Sequence, residues 1–318
     1  MLKKSSLFRM LVIVISISMV LVGCTTGTST SEEPTFKIGI NSFGQANFFA
    51  RIGKATLEKT IEELGGEVIA SVNADEPGRI ASIENMIAQG VDAIIIQEGD
   101  INLLTSAIEQ ASAEGILIGS FDAGDNDMVD IFVESDNTKL GEESARQLVE
   151  LMGEKGNVVE IYNDAGSMIR ARKDAAHSVF DEYPNVQITD SFVYTWPDYF
   201  PDVKSKMESI LQANPNPGDI SGVFATFDGV GIAAASAIWE AGLEQSISIV
   251  GVDGDPEAYE EMKKEGSPFK ATMAQDPETM AKIVVEQMFE LLKGNEIAEK
   301  HIYVPGILIT KDNIPDTK

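Results

Sequence analysis

The chain has 318 residues, with 24 Lys+Arg against 51 Asp+Glu (formal charge −27), 43% hydrophobic residues, two His and one Cys. One Cys cannot close an internal disulfide, and one Cys with two His falls short of the about four ligands of a structural zinc site, so neither staple holds this fold. The negative charge repels a phosphate backbone and no Lys/Arg cluster overrides it locally, which argues against nucleic acid as a partner. At roughly 100–200 residues per domain, the length leads us to expect two domains, each with its own core.

Lys3, Lys4 and Arg9 precede an apolar run from Met10 to Val22. That run is shorter than the roughly 20 residues a membrane-crossing helix needs, so residues 1–23 read as a signal peptide. It ends in Leu21-Val22-Gly23-Cys24, which resembles a bacterial lipobox. The resemblance implies cleavage before Cys24 and attachment of a lipid to its thiol. Residues 24–34, rich in Ser and Thr and without apolar periodicity, read as a flexible tether. The remainder is therefore expected outside the cytoplasm, lipid-anchored to the outer face of the bacterial cell membrane. A lipobox also points to a single-membrane bacterium, where an anchor prevents loss to the medium.

From Phe36 onward, short β-branched runs alternate with longer stretches whose apolar residues lie three and four apart, the signature of an α/β fold. The first strands are expected at Phe36–Asn41, Val68–Val72, Ala93–Gln97, Ile116–Phe121 and Ile131–Val133. A second set is expected at Val158–Tyr162, Ile188–Val193, Gly222–Thr226, Ile247–Val252 and Lys270–Ala274. Several are apolar nearly throughout, as in a parallel sheet covered on both faces. Helices are expected at Phe49–Leu64, Ile80–Gln89, Leu103–Glu114, Leu140–Met152, Val203–Gln212, Ile232–Ala241 and Met280–Leu292. In the last, Met280, Val284, Met288 and Leu291 share one face, read as ordinary core. Two such sets imply two doubly wound lobes, which bind ligands at the carboxyl ends of their strands. Polar and aromatic residues do follow the predicted strands: Asn41-Ser42-Phe43, Asn47-Phe48-Phe49, Gln97-Glu98, Asp122, Phe227-Asp228, Asp253-Gly254-Asp255 and Gln275-Asp276.

The segments NFFARIGKATLEKT (47–60), GVDAIIIQ (90–97), VESDNTKLG (133–141), Thr226-Phe227-Asp228, GVDGDPEAYEEMKKEG (251–266) and KATMAQDPETMAKIVVEQMFELLKG (270–294) agree in order and spacing with one family. Over nearly all of residues 35–310 the chain resembles the ribose-binding-protein-like family, the type I sugar-binding proteins of ABC importers. The resemblance implies two Rossmann-like lobes joined by a three-crossing hinge, one formed by residues 35–136 plus 276–304 and the other by 137–275 plus 305–318. It implies a sugar or polyol as ligand, an ABC permease with its ATPase subunit as partner, no cofactor and no catalysis. We expect a monomer.

A sugar has apolar C–H faces and a rim of hydroxyls, so rings must cover the faces and Asp, Asn, Gln or Arg must satisfy the rim, since an unpaired buried hydroxyl costs roughly 1–3 kcal/mol. Phe48, Phe49, Trp196 and Phe227 are the candidate platforms. Gln97, Asp122, Asn137, Arg172, Asp253 and Gln275 are the candidate polar contacts. The family's ligand arginine at the start of a second-lobe helix corresponds to Arg172 or Arg170. Ala46, Ala123 and Phe227 stand where ribose binders carry Asn, Arg and Asn, and Gln97 replaces another Asn. Ribose is accordingly a poor fit, and a ligand with fewer hydroxyls at that end or another shape is expected.

Other readings are weaker. Gly229-Val230-Gly231-Ile232-Ala233-Ala234 has the GxGxxA form of a dinucleotide-binding oxidoreductase, but it lies outside the first βα unit and lacks the acidic ribose contact about 20 residues on, so close helix packing explains it. There is no GxSxG elbow and no HExxH pair, and Asp253-Gly254-Asp255 has neither glycosidase nor calcium-loop spacing. His177 and His301, expected in a helix and a strand, are not read as ligands. Repressors share the fold, yet they carry a helix-turn-helix where this chain has a signal peptide. Presentation of the liganded form to a membrane sensor kinase is the main alternative to transport. Acidic residues in 255–265 are a candidate face toward basic permease loops.

Overall fold

The computed structural model describes residues 35–164 and 166–316. The signal peptide, Cys24 and the tether lie outside the described residues. From Thr35 onward the chain forms one unit containing two six-stranded sheets.

The first sheet holds β1 (Lys37–Ser42), β2 (Glu67–Val72), β3 (Ala93–Gln97), β4 (Leu117–Phe121), β5 (Ile131–Ser135) and β11 (His301–Val304), in the order β11-β5-β4-β3-β1-β2. The second holds β6 (Gly156–Tyr162), β7 (Val186–Val193), β8 (Gly222–Ala225), β9 (Ser248–Asp253), β10 (Phe269–Ala274) and β12 (Ile307–Thr310), in the order β12-β10-β9-β8-β6-β7. All pairings are parallel except that of β10 with β12, which runs antiparallel with Ala271 opposite Thr310. The chain thus passes between the sheets three times, after β5, after β10 and after β11.

Helices cover both faces of each sheet. In the first, α1 (Phe48–Glu63) and α9 (Pro277–Leu292) close one core around Ile38, Leu57 and Met288, while α2 (Glu76–Ala88) and α3 (Thr105–Ala113) close the other around Ile94 and Ile108. In the second, α6 (Tyr199–Ala213), α7 (Asp228–Ala241) and α8 (Pro256–Lys263) pack on one face, α4 (Asn137–Leu151) and α5 (Ser167–Phe180) on the other. The four-residue run of β3, AIII, is fully buried, as expected of a strand sandwiched between helices. The methionine stripe of α9 is core: Met280, Val284 and Met288 are buried, and Leu291 packs against them.

Several helices begin earlier than their apolar periodicity, because a capping side chain sets the first turn. Asp75 accepts from Gly78 N at 2.8 Å at the start of α2, and Asp136 accepts from Lys139 N at 3.0 Å at the start of α4. Strands β11 and β12 and helix α8 go beyond the elements expected from the sequence. They are four to eight residues long, too short to carry a clear period. Among the described residues no helix is long and apolar enough to cross a membrane. His177 lies on α5 and His301 on β11, each beside a glutamate (Glu160 at 2.6 Å, Glu134 at 3.4 Å).

Candidate functional site

The carboxyl ends of both sheets line one cavity. The first sheet contributes Phe43 and Asn47 after β1, Glu98 after β3 and Asp122 after β4. The second contributes Tyr194 and Trp196 after β7, Phe227 after β8, Asp253 at the end of β9 and Gln275 after β10, with Arg172 from α5. In each sheet the strand order reverses beside the first strand, between β1 and β3 and between β6 and β8, and a doubly wound sheet opens its crevice there.

The three cavity carboxylates share a backbone property. Glu98, Asp122 and Asp253 all have positive φ (55°, 51° and 129°), which only one other described non-glycine residue, Glu154, adopts. Such a conformation costs of order 1–3 kcal/mol and persists only where the surroundings impose it. Here each strand bends sharply at its last residue or the next, and the bend turns a carboxylate into the cavity. Fully buried Asp228 braces the β9 bend: its Oδ2 accepts from Gly254 N (2.9 Å) and Asp255 N (2.8 Å).

Arg172 organises the second-sheet wall. Its Nε donates to Asn137 Oδ1 (2.9 Å), its Nη1 to the Thr226 carbonyl (2.9 Å) and to Asp253 Oδ1 (3.4 Å), and its Nη2 to Gln275 Oε1 (2.7 Å). Asn137 Nδ2 in turn donates to Asp122 Oδ1 at 3.1 Å, and Gln275 Nε2 donates to Ser135 Oγ at 2.9 Å. The guanidinium, seated in the second sheet's helices, is therefore linked to first-sheet residues through two amides. A Cβ on Gly141 of α4 would stand 2.2 Å from the Arg172 carbonyl oxygen, so these two helix backbones touch, and their contact fixes where Arg172 begins.

The aromatic wall is a cluster rather than a set of separate platforms. Trp196 lies nearly parallel to Phe43 (centroids 6.0 Å, planes 11°) and to Tyr199 (6.0 Å, 16°). Phe227 meets Tyr194 and Tyr199 edge-on at 5.3 and 4.9 Å. Trp196 Nε1 is buried with no hydrogen-bond partner. A ring stacked on two neighbours presents its edge, and here its N–H, more readily than a free face. Phe49 lines the cavity and packs at 5.5 Å on Phe121 beneath it.

Of the ten candidate residues, Phe49, Asp122, Arg172, Trp196, Phe227, Asp253 and Gln275 line this cavity. The other three stand elsewhere. Asn137 lies one layer behind, between Asp122 and Arg172. Both ends of the Gln97 amide are occupied by the protein, accepting from Ser42 Oγ at 2.6 Å and donating to the Ala50 carbonyl at 2.9 Å. Phe48 lines a separate outer concavity with Arg51, Tyr199 and Asp255. The wall arginine is Arg172; Arg170 is not among the lining residues and instead pairs with Asp100 of the first sheet at 2.5 Å. Phe43, Asn47, Glu98 and Tyr194 line the cavity without having been candidates. Their signal was weak but present, since Phe43, Asn47 and Glu98 stand in the strand-end segments already singled out.

Burial sets the protonation of the acids. It pushes the Glu98 carboxyl up to about 8, with Asp122 and Asp253 adding to the rise and a hydrogen bond from Asn47 and the charge of Arg79 opposing it. Asp253 is pushed up to about 7 by burial and by Asp122, against the pull of Arg172. Asp122 is raised too, by burial, with Arg172 and Asn137 opposing. Among the described residues no three His, Cys, Asp or Glu are grouped to hold a metal ion. The GxGxxA segment is the first part of α7, where a Cβ on Gly231 would stand 2.6 Å from the Phe269 ring, so these glycines allow close packing.

Residues 38–296 match the sequence profile of the periplasmic binding protein domain. The chain is 29% identical over 287 residues to the ribose import binding protein of Bacillus subtilis, covering 89% of this chain and 90% of that one. It is 30% identical over 257 residues to the D-apiose import binding protein of Actinobacillus succinogenes, covering 79% and 81% respectively. The fold superposes on an ABC transporter solute-binding protein from Agrobacterium vitis with bound allitol, with a TM-score of 0.84, 27% identity and coverage of 88% and 97%.

Proposed function

The chain belongs to the periplasmic binding protein domain family, a family of solute-binding proteins rather than enzymes, and from that premise we propose that it captures a sugar or polyol between its two sheets and delivers it to an ABC importer. The observation that carries this reading is a single cavity to which both sheets contribute rings, carboxylates and amides, with one guanidinium, Arg172. Rings exclude water from the C–H faces of a bound polyol, and the polar groups replace the water its hydroxyls give up.

We take the lobes as residues 35–136 plus 276–304 and 137–275 plus 305–318, with the three crossings as the hinge. A ligand bonded to both walls stabilises the closed arrangement by its differential affinity for it, and the permease with its ATPase subunit reads that closed form. Import and binding proteins for ribose, D-apiose and xylitol among the relatives support this ligand class. Of the acidic residues in 255–265, Asp255 and Glu261 are buried, so Glu257, Glu260 and Glu265 are the ones we assign to the permease-facing surface. The protein acts as a monomer held outside the cytoplasm by lipid on Cys24. A Cys24→Ala chain should then leave the detergent phase on phase separation and appear in the medium.

The function is tested by a thermal-shift panel of sugars and polyols on the full-length chain in detergent. A ligand at 100 times its Kd adds about 2.7 kcal/mol of stability. Deleting the cognate ABC permease should abolish uptake of the same compound. A compound that binds but whose uptake is unaffected would favour presentation to a sensor kinase. If no sugar or polyol shifts the midpoint, the reading is wrong.

A further inference from the structure

Acidic groups outnumber basic ones around the cavity. Glu98, Asp122 and Asp253 line it, and Arg172 is the cation among the lining residues. Of the three acids Arg172 touches only Asp253, at 3.4 Å, and its other bonds go to amide and carbonyl oxygens. A second buried guanidinium, Arg79, lies behind the wall, but it donates to Asn41 Oδ1 and to the carbonyls of Asn41, Gln97 and Glu98, none of them carboxylates. With all three acids ionised, one negative charge would stand uncompensated even counting both arginines, so one carboxyl of the set keeps its proton until a cation arrives.

That charge has a location. Glu98 Oε2 and Asp253 Oδ2 are shielded from solvent and have no hydrogen-bond partner, and Asp253 is only 5% exposed. A buried carboxylate oxygen without a donor is costly unless a ligand supplies one. The cavity acids are not grouped to hold a metal ion, whereas an ammonium needs only one or two carboxylates to accept its hydrogen bonds.

We propose that the ligand of this cleft is an amino sugar or amino polyol whose protonated amine is received by Glu98. The inference rests on the sugar-binding reading above and narrows it. The groups facing Glu98 are Asp122 from the end of β4, Asp253 from the end of β9, Arg79 from α2 and Asn47 before α1. Because the empty cavity holds Glu98 largely protonated at pH 7, an arriving ammonium displaces that proton, and binding releases it to the buffer.

The test compares matched pairs that differ in one substituent: glucose with glucosamine, galactose with galactosamine, inositol with its monoamine, and sorbitol with its 1-amino analogue. On the full-length chain in detergent at pH 7, one amine should bind at least about tenfold more tightly than its hydroxyl twin. Titration calorimetry in two buffers of different ionisation enthalpy should report net proton release for the amine and none for the twin. Glu98→Gln should bring the affinity ratio close to one. Should neutral compounds bind as well as or better than every amine, the amine assignment falls and the sugar-binding reading stands. Amine binding without proton release, or with its preference intact in Glu98→Gln, overturns the role of Glu98. If neither series binds, the sugar-binding reading fails and takes this inference with it.

Discussion

Phe43 and Trp196, which follow strands of different sheets, lie with their ring centroids 6.0 Å apart and their planes 11° from parallel. The stack joins the two walls of the cavity at one edge, and the Asp100 to Arg170 ion pair joins them at another. Whatever changes the separation of the walls must therefore change the surroundings of Trp196.

Ligand binding should alter tryptophan fluorescence, and one residue should carry the change. The chain has two tryptophans; Trp239 donates to Glu261 Oε1 at 2.7 Å on α7, away from the cavity. Trp196→Phe should abolish the ligand-dependent signal and Trp239→Phe should keep it. The reverse pattern would mean that the stack does not respond to the ligand.

Replacing Arg172 should damage folding and binding together. Its guanidinium is 3% exposed at the side chain and satisfies two amides, a carbonyl and Asp253. Arg172→Ala leaves those acceptors and a buried carboxylate unpaired, for a loss of about 3–5 kcal/mol in denaturant unfolding. Arg172→Lys, with a point charge in place of a planar fork, should recover part of the stability and little of the affinity. An Arg172→Ala chain of unchanged stability would contradict the network described here.

Gly141→Ala should act at a distance. The added methyl would meet the Arg172 carbonyl oxygen at 2.2 Å, and backbone cannot swing aside as a side chain can. Helices α4 and α5 must separate, which should cost about 1–3 kcal/mol and weaken ligand binding by displacing Asn137 and Arg172. Calorimetric titration of the variant checks this, and unaltered affinity would show that the cleft tolerates the shift.

Stability without ligand should fall as pH rises. Burial raises Glu98 to about 8 and Asp253 to about 7, and raises Asp122, Asp228 and Asp255 as well. In the unfolded chain these carboxyls release their protons near pH 4. The folded state thus binds more protons than the unfolded one across about pH 4–8, so their contribution is complete below pH 4 and lost as pH climbs through the folded values. Between pH 5 and pH 8 the midpoint should drop by about 2 °C or more per kcal/mol lost, and Glu98→Gln should make the drop shallower. Scanning calorimetry at four pH values decides it; a flat or rising profile would count against burial of these acids.

The alternation of apolar strand runs with helical periodicity fixes an α/β fold from local chemistry alone, because the periods of 2 and 3.6 are properties of the backbone. The same logic places polar and aromatic residues at strand ends, and it is enough to assemble Asp122, Asp253, Gln275 and Phe227 as candidates. What it cannot supply is the direction of each side chain there. Gln97 and Glu98 are neighbours in sequence, yet Gln97 turns back onto Ala50 while Glu98, with φ of 55°, turns into the cavity. Phe48 and Phe49 sit side by side on one helix, a third of a turn apart, and reach different concavities. Those choices depend on how the strand bends against its neighbours and on which helices touch, as at Gly141. They are tertiary quantities, because a one-residue step at a bend reverses the face presented, and only packing across the whole sheet selects which face is buried.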